Sequence, residues 1–271
     1  MPNYEIYHHG IKGQKWGVRR FQNEDGSLTN AGKKRYATGT HGTFMGQDRD
    51  KDVVIKKDSN AYRLQTKADL KGSGQSYISL DKLDHLKYVD ITASGEGGLL
   101  MDATGLDSAY GHTIKMKLSN DMIAPSYQKS IDSFINTVGK VGIDEVSKQV
   151  ERHGYSADDF IKDMSNTSVE ECRDRAYVNF MGTLMRDSAA KTEFFNDLKS
   201  QGYNAVIDEW DNNFGKGFAN SSLIVFEQSN LKQVSSRKVD ELDTEYASSP
   251  EWFDKSDNEL AKKVSKRWKD Y

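Results

Sequence analysis

Seven side chains have the types and spacing to do chemistry: Arg63, Tyr77, Ser79, Tyr88, Asp208, Glu209 and Ser222. Arg63 lies in the run Ala61-Tyr62-Arg63-Leu64. With Leu64 toward a core, strand alternation turns Arg63 and Gln65 the other way, where a planar, permanently charged guanidinium can serve a cleft. Tyr77 and Ser79 share the run Tyr77-Ile78-Ser79, and Tyr88 follows eleven residues after Tyr77. Phenol rings stack on flat ligands, and a serine hydroxyl both donates and accepts hydrogen bonds. Asp208 and Glu209 end the run Ala205-Val206-Ile207, and Ser221-Ser222 open Leu223-Ile224-Val225-Phe226. A carboxylate beside a reacting carbon stabilises developing positive charge. Each residue also has a plain reading: a strand-edge arginine with a solvated head, packing tyrosines, and acids that cap a loop.

The elements that must position them follow from periodicity. Short strands are expected at 61–64, 76–80, 114–118, 203–207 and 223–226, the third from its alternation of apolar residues with lysine. A helix beginning near Asp81 carries Leu83, Leu86 and Tyr88. A long one begins at Pro125, with Ile131, Phe134, Ile135 and Val138 at helical spacing. Others are expected at 157–163, 175–186 and 188–200, the last stopping at Gly202. Strands early and late with helices between them predict an α+β class rather than a doubly wound sheet. A glycine-bearing loop (Gly215, Gly217) joins the last two strands.

The chain has 271 residues, 38 Lys and Arg against 41 Asp and Glu, and one cysteine, Cys172. A net charge of -3 argues against a dedicated nucleic-acid binder. A lone cysteine excludes a disulfide framework and fits a reducing compartment. No apolar run approaches membrane-spanning length, so a soluble protein is expected. Texture divides the chain into an arm and linker at 1–50, a periodic domain at 51–235, and a charged tail at 236–271 ending in a helix. In that tail Ser249-Pro250 reads as a capped start, with Trp252, Leu260, Val264 and Trp268 forming a stripe for docking on the domain or on a partner chain. In the arm, Lys12, Lys15, Arg19 and Arg20 surround Trp16, a basic-aromatic patch able to dock on an acidic surface or nucleic acid. His8 and His9 have no third metal ligand at suitable spacing, so no metal is expected.

Taken in order, Tyr62-Arg63-Leu64, then Tyr77-Ile78-Ser79 with Tyr88, then Ile224-Val225-Phe226-Glu227 resemble the three motifs of the ADP-ribosyltransferase fold found in bacterial toxins and poly(ADP-ribose) polymerases. The resemblance covers about residues 55–235 and departs at Ser222, two residues before Ile224, where the family carries its catalytic glutamate. It implies a split antiparallel sheet with inserted helices and NAD as substrate. Arg63 would orient NAD, Tyr77 and Tyr88 would frame the nicotinamide, and Ser79 would support the site. Asp208 or Glu209 would steady the ribosyl cation that Ser222 cannot. The arm from Tyr7 to Tyr36 resembles a motif at protein ends in tailed phages and prophages of Gram-positive bacteria. Together these imply a phage-encoded mono-ADP-ribosyltransferase acting on a host protein or nucleic acid, in the bacterial cytoplasm or carried in the virion. Phage structural proteins are the partners expected for residues 7–36. The alternative is the same fold without catalysis, a virion-associated binding module or an inhibitor of a host protein.

Overall fold

The extended segments assemble into one main sheet and two small strand pairs. The computed structural model describes residues 41–65, 67–70, 74–86, 111–214, 221–247 and 259–267. The main sheet contains β4 (Asn60–Gln65), β5 (Ser76–Ser79), β6 (His112–Leu118), β8 (Ala205–Ile207), β9 (Ser222–Val225) and β10 (Leu231–Lys238). All neighbouring pairs are antiparallel, in the order β10-β6-β4-β5-β9-β8. Two small antiparallel pairs accompany it: β1 (Thr43–Phe44) with β2 (Gln47–Asp48), and β3 (Val53–Ile55) with β7 (Met122–Ala124). With eight α-helices among the described residues, the class is α+β.

The sheet buries both faces. One face carries Ala61, Ile78, Ile114, Met116, Leu223 and Val225, covered by Val53, Ile55, Met122 and Ala124 of β3 and β7 and by Phe44. Over β8 and β9 the opposite face meets five helices: α1 (Tyr127–Val141), α2 (Ile143–Glu151), α3 (Ala157–Met164), α4 (Glu170–Thr183) and α5 (Ala189–Ser200). Serines start three of these helices. Ser126, Ser156 and Ser188 accept from the backbone amides of Lys129, Asp159 and Lys191, satisfying donors that a helix start leaves open. Gly142 ends α1 at a φ of 98°, a conformation glycine adopts without penalty, and α2 follows at once.

Over β4 the same face is covered by the C-terminal helices α7 (Glu241–Ala247) and α8 (Glu259–Arg267). Tyr246, Ala261 and Val264 pack there on Tyr62, Leu64, Leu83 and Leu86. The tail helix thus docks on its own domain. No helix among the described residues is long and apolar enough to cross a membrane.

Several elements differ from the sequence expectation. The helix expected from Asp81 is a 3₁₀ turn, Asp84–Leu86, as far as the described residues reach. The pattern gave no sign of α2 or β10, and β10 carries the domain past residue 235. Residues 41–50, read as part of a loosely packed arm, form a hairpin whose Phe44 is 2% exposed. The rest of that arm and Trp252 and Trp268 lie outside the described residues.

Candidate functional site

The strands bearing the three motifs, β4, β5 and β9, are immediate neighbours in the sheet. Their register sets Tyr62 opposite Ser79, and Ser79 opposite Ser222. Cross-strand partners share a face, so Tyr62, Ser79 and Ser222 form a row, with Tyr77 on the same face two residues along β5. The row lies where the helical layer gives way to the C-terminal helices, with Ser79 and Ser222 2% and 4% exposed.

Charge reaches this row from the helix that follows β8. The backbone amide of Asp208 donates to the carbonyl of Ser222 at 3.1 Å, which ends the β8 ladder. Asp208 then caps the short helix α6 (Glu209–Phe214), its Oδ1 accepting from the amide of Asp211 at 3.1 Å. That is the spacing of an N-cap to the third helical residue. One turn on, the carboxylate of Asp211 accepts a hydrogen bond from the Ser222 hydroxyl. A carboxylate therefore stands against the Ser222 hydroxyl, delivered from a helix rather than from the strand.

The other expected residues separate. Glu209 is buried in an ion pair with Arg49. Burial pushes its carboxyl above the ordinary value, and the guanidinium of Arg49 pulls against that rise. Arg63 is paired with Ile114, which puts it on the face of Ile78 and Ser76, opposite Tyr77 and Ser79. Its guanidinium donates to Ser76 Oγ at 3.5 Å, and Ser76 Oγ donates to Gln228 Oε1 at 3.4 Å. The Tyr77 ring packs on the helical layer, and its buried hydroxyl has no hydrogen-bond partner among the described residues. Burial, reinforced by Asp208, holds that phenol far above its ordinary value. Tyr88 lies outside the described residues. Ser221 is structural: its hydroxyl donates to Asp84 at 2.6 Å and accepts from the amide of Asp81, tying the 3₁₀ turn to β9.

Two grooves flank the row. One of about 550 Å³ opens where β5 ends, just past Ser79, lined by Asn60, Tyr62, Leu80, Asp81 and Lys82. The other, about 630 Å³, lies at the start of β5 beside Gly74, Gln75 and Gln228, on the Arg63 side. Both are of the size that takes small organic ligands. Chemically, the row offers an anchored carboxylate and two buried hydroxyls and reaches the first groove through Tyr62, and the second groove offers the amide of Gln228 and the ammonium of Lys199.

The candidate residue that sequence reasoning passed over is Asp211. Its signal was present in Asp208-Glu209-Trp210-Asp211, because acids three apart at a helix start fall on one side of the first turn. No protein-family model, curated protein or solved structure matches this chain.

Proposed function

We propose that this chain is a phage-encoded mono-ADP-ribosyltransferase that cleaves NAD and transfers its ADP-ribose to a host macromolecule. Asp211, anchored by Ser222, supplies the charge that the family draws from a glutamate. The observation that carries the reading is the register that sets Ser79 opposite Ser222, with the Asp211 carboxylate bonded to the latter. Loss of nicotinamide leaves positive charge on the ribose, and a fixed carboxylate in a site largely closed to water stabilises it strongly. In this reading the groove past Ser79 receives NAD, and Lys82 at its rim is a cation for the diphosphate. Arg63, on the other face, binds β4 to β5 through Ser76 and does not touch the reacting ribose.

The placement of Arg63 also favours a second reading, in which the fold binds a host or virion protein and no longer turns over NAD. Incubation of the pure protein with NAD labelled in its adenylate half and with bacterial lysate separates them. Transfer of label to an acceptor is expected, with free nicotinamide released in step. Nicotinamide without transfer would make the protein a hydrolase, and neither product would leave the binding module. Arg63→Ala is expected to retain activity within about tenfold, a change of about 1.4 kcal/mol in the barrier. Complete loss in that variant would return the guanidinium to the site.

A further inference from the structure

We infer that Arg49, acting through Glu209, is a positioning residue that holds α6 so that Asp208 and Asp211 meet Ser222; this rests on the site proposed above. Three observations meet at α6. First, Arg49 reaches it from the hairpin at 41–50, a segment 160 residues away in sequence, and bonds Glu209 at a buried point. Second, the base of that reach is fixed. The Arg49 guanidinium sits over the Tyr127 ring at 4.9 Å, and the Arg49 carbonyl accepts from the Tyr127 amide at 2.9 Å. His41 stacks on the same ring at 4.4 Å and bonds Asp50 at 2.7 Å. Third, the next residue of α6 packs closely on α4: a Cβ built on Gly182 would lie 2.7 Å from the Trp210 ring.

A six-residue helix has too few hydrogen bonds to hold its own place. The Arg49 ion pair, the Trp210 seat and the Asp208 cap therefore set where the Asp211 carboxylate stands. Glu209 acts as the handle by which the helix is gripped, which explains a carboxylate that is buried and paired with a cation from a distant segment. The segment just after the N-terminal arm is in consequence built into the site.

The experiment reads α6 without NAD, so its outcome is independent of whether NAD is cleaved. In the full chain, backbone amide exchange is followed at residues 211–214 and at 112–118 of β6. The same chain with Trp16, Trp252 and Trp268 replaced by Phe reports Trp210 quenching by acrylamide. Arg49→Gln strands the buried carboxylate, and Glu209→Gln removes its charge instead. Both are expected to speed exchange in α6 at least tenfold relative to β6 and to raise Trp210 quenching, with Arg49→Lys between them and the parent. In NAD cleavage the same variants should lower kcat while KM stays within threefold. Protection of α6 that is unchanged in Glu209→Gln, or that falls only in proportion to β6, overturns the proposal. If the parent chain releases no nicotinamide while α6 loosens as expected, the clasp stands and the reading of the site falls.

Discussion

The helical layer and the row at Ser79 and Ser222 lie on one face of one sheet and are built from opposite materials. Under α1 to α5 a chain of rings runs from Phe160 through Phe134, Phe180, Phe194 and Phe195 to Phe226, with neighbouring centroids 4.9 to 6.3 Å apart. Such pairs add about 0.5–1.5 kcal/mol each beyond the area they bury, and nothing in the chain can titrate. The row a few residues away buries two serines, an aspartate cap and an ion-paired glutamate. Burying such groups is unfavourable unless they are bonded, and here Ser222 is tied to Asp211, Asp208 to the amide of Asp211 and Glu209 to Arg49. The difference teaches where the molecule keeps its stability and where it keeps its chemistry. The rings can be varied in size only at a large cost in folding, and the polar row is where the proposed chemistry would sit.

The sharpest way to break that contrast is Phe134→Ala. Phe134 touches three rings and is fully buried, so the loss should be about 3–5 kcal/mol by urea unfolding, a core truncation with its cavity. A loss below 1 kcal/mol would mean the layer is loosely packed. Next comes Gly182→Val, which drives a branched side chain into Trp210 where the layer meets α6. It should cost about 1–3 kcal/mol by overpacking and should displace the Trp210 emission.

A smaller effect is expected with acid. Arg175 bonds Asp163 at 2.5 and 2.7 Å and holds its carboxyl below the ordinary value of 3.8, against a smaller opposing effect of burial. The folded state therefore binds this proton less readily than the unfolded one. Its contribution is complete above the ordinary carboxylate range and is lost as the pH falls through and below 3.8. Arg175→Met should flatten that part of the curve of urea midpoint against pH. An unchanged slope would place the acid sensitivity elsewhere.

How much was legible in the sequence follows the same division. The long helix was readable from Pro125 onward because Ile131, Phe134 and Val138 recur at the spacing of one buried face. The strands at 61–64 and 223–226 were readable because flanking apolar residues enter a core from either side. β10 escaped because its run Leu-Lys-Gln-Val-Ser-Ser-Arg-Lys is polar along an edge and carries a bulge between Gln233 and Ser235. The hairpin at 41–50 escaped because Phe44 and Arg49 are isolated residues whose partners, the far face of the sheet and Glu209, are distant in the chain. That β4, β5 and β9 are neighbours in the sheet was not legible, because strand order depends on long-range pairing rather than on local pattern. Nor was the face each side chain takes: alternation told Arg63 from Leu64, but only the pairing of Tyr62 with Ser79 set Arg63 opposite Tyr77. Asp211 became visible as a site residue only once α6 brought it to Ser222.

The most direct measurement is the rate of nicotinamide release by Asp211→Asn at saturating NAD, beside the parent chain. The variant keeps the size of the side chain and a group for Ser222 to bond, and removes only the negative charge. A loss of about 10²–10³ in kcat with little change in KM is the result this account predicts, the magnitude typical of a preorganised electrostatic group. A variant as fast as the parent would contradict it.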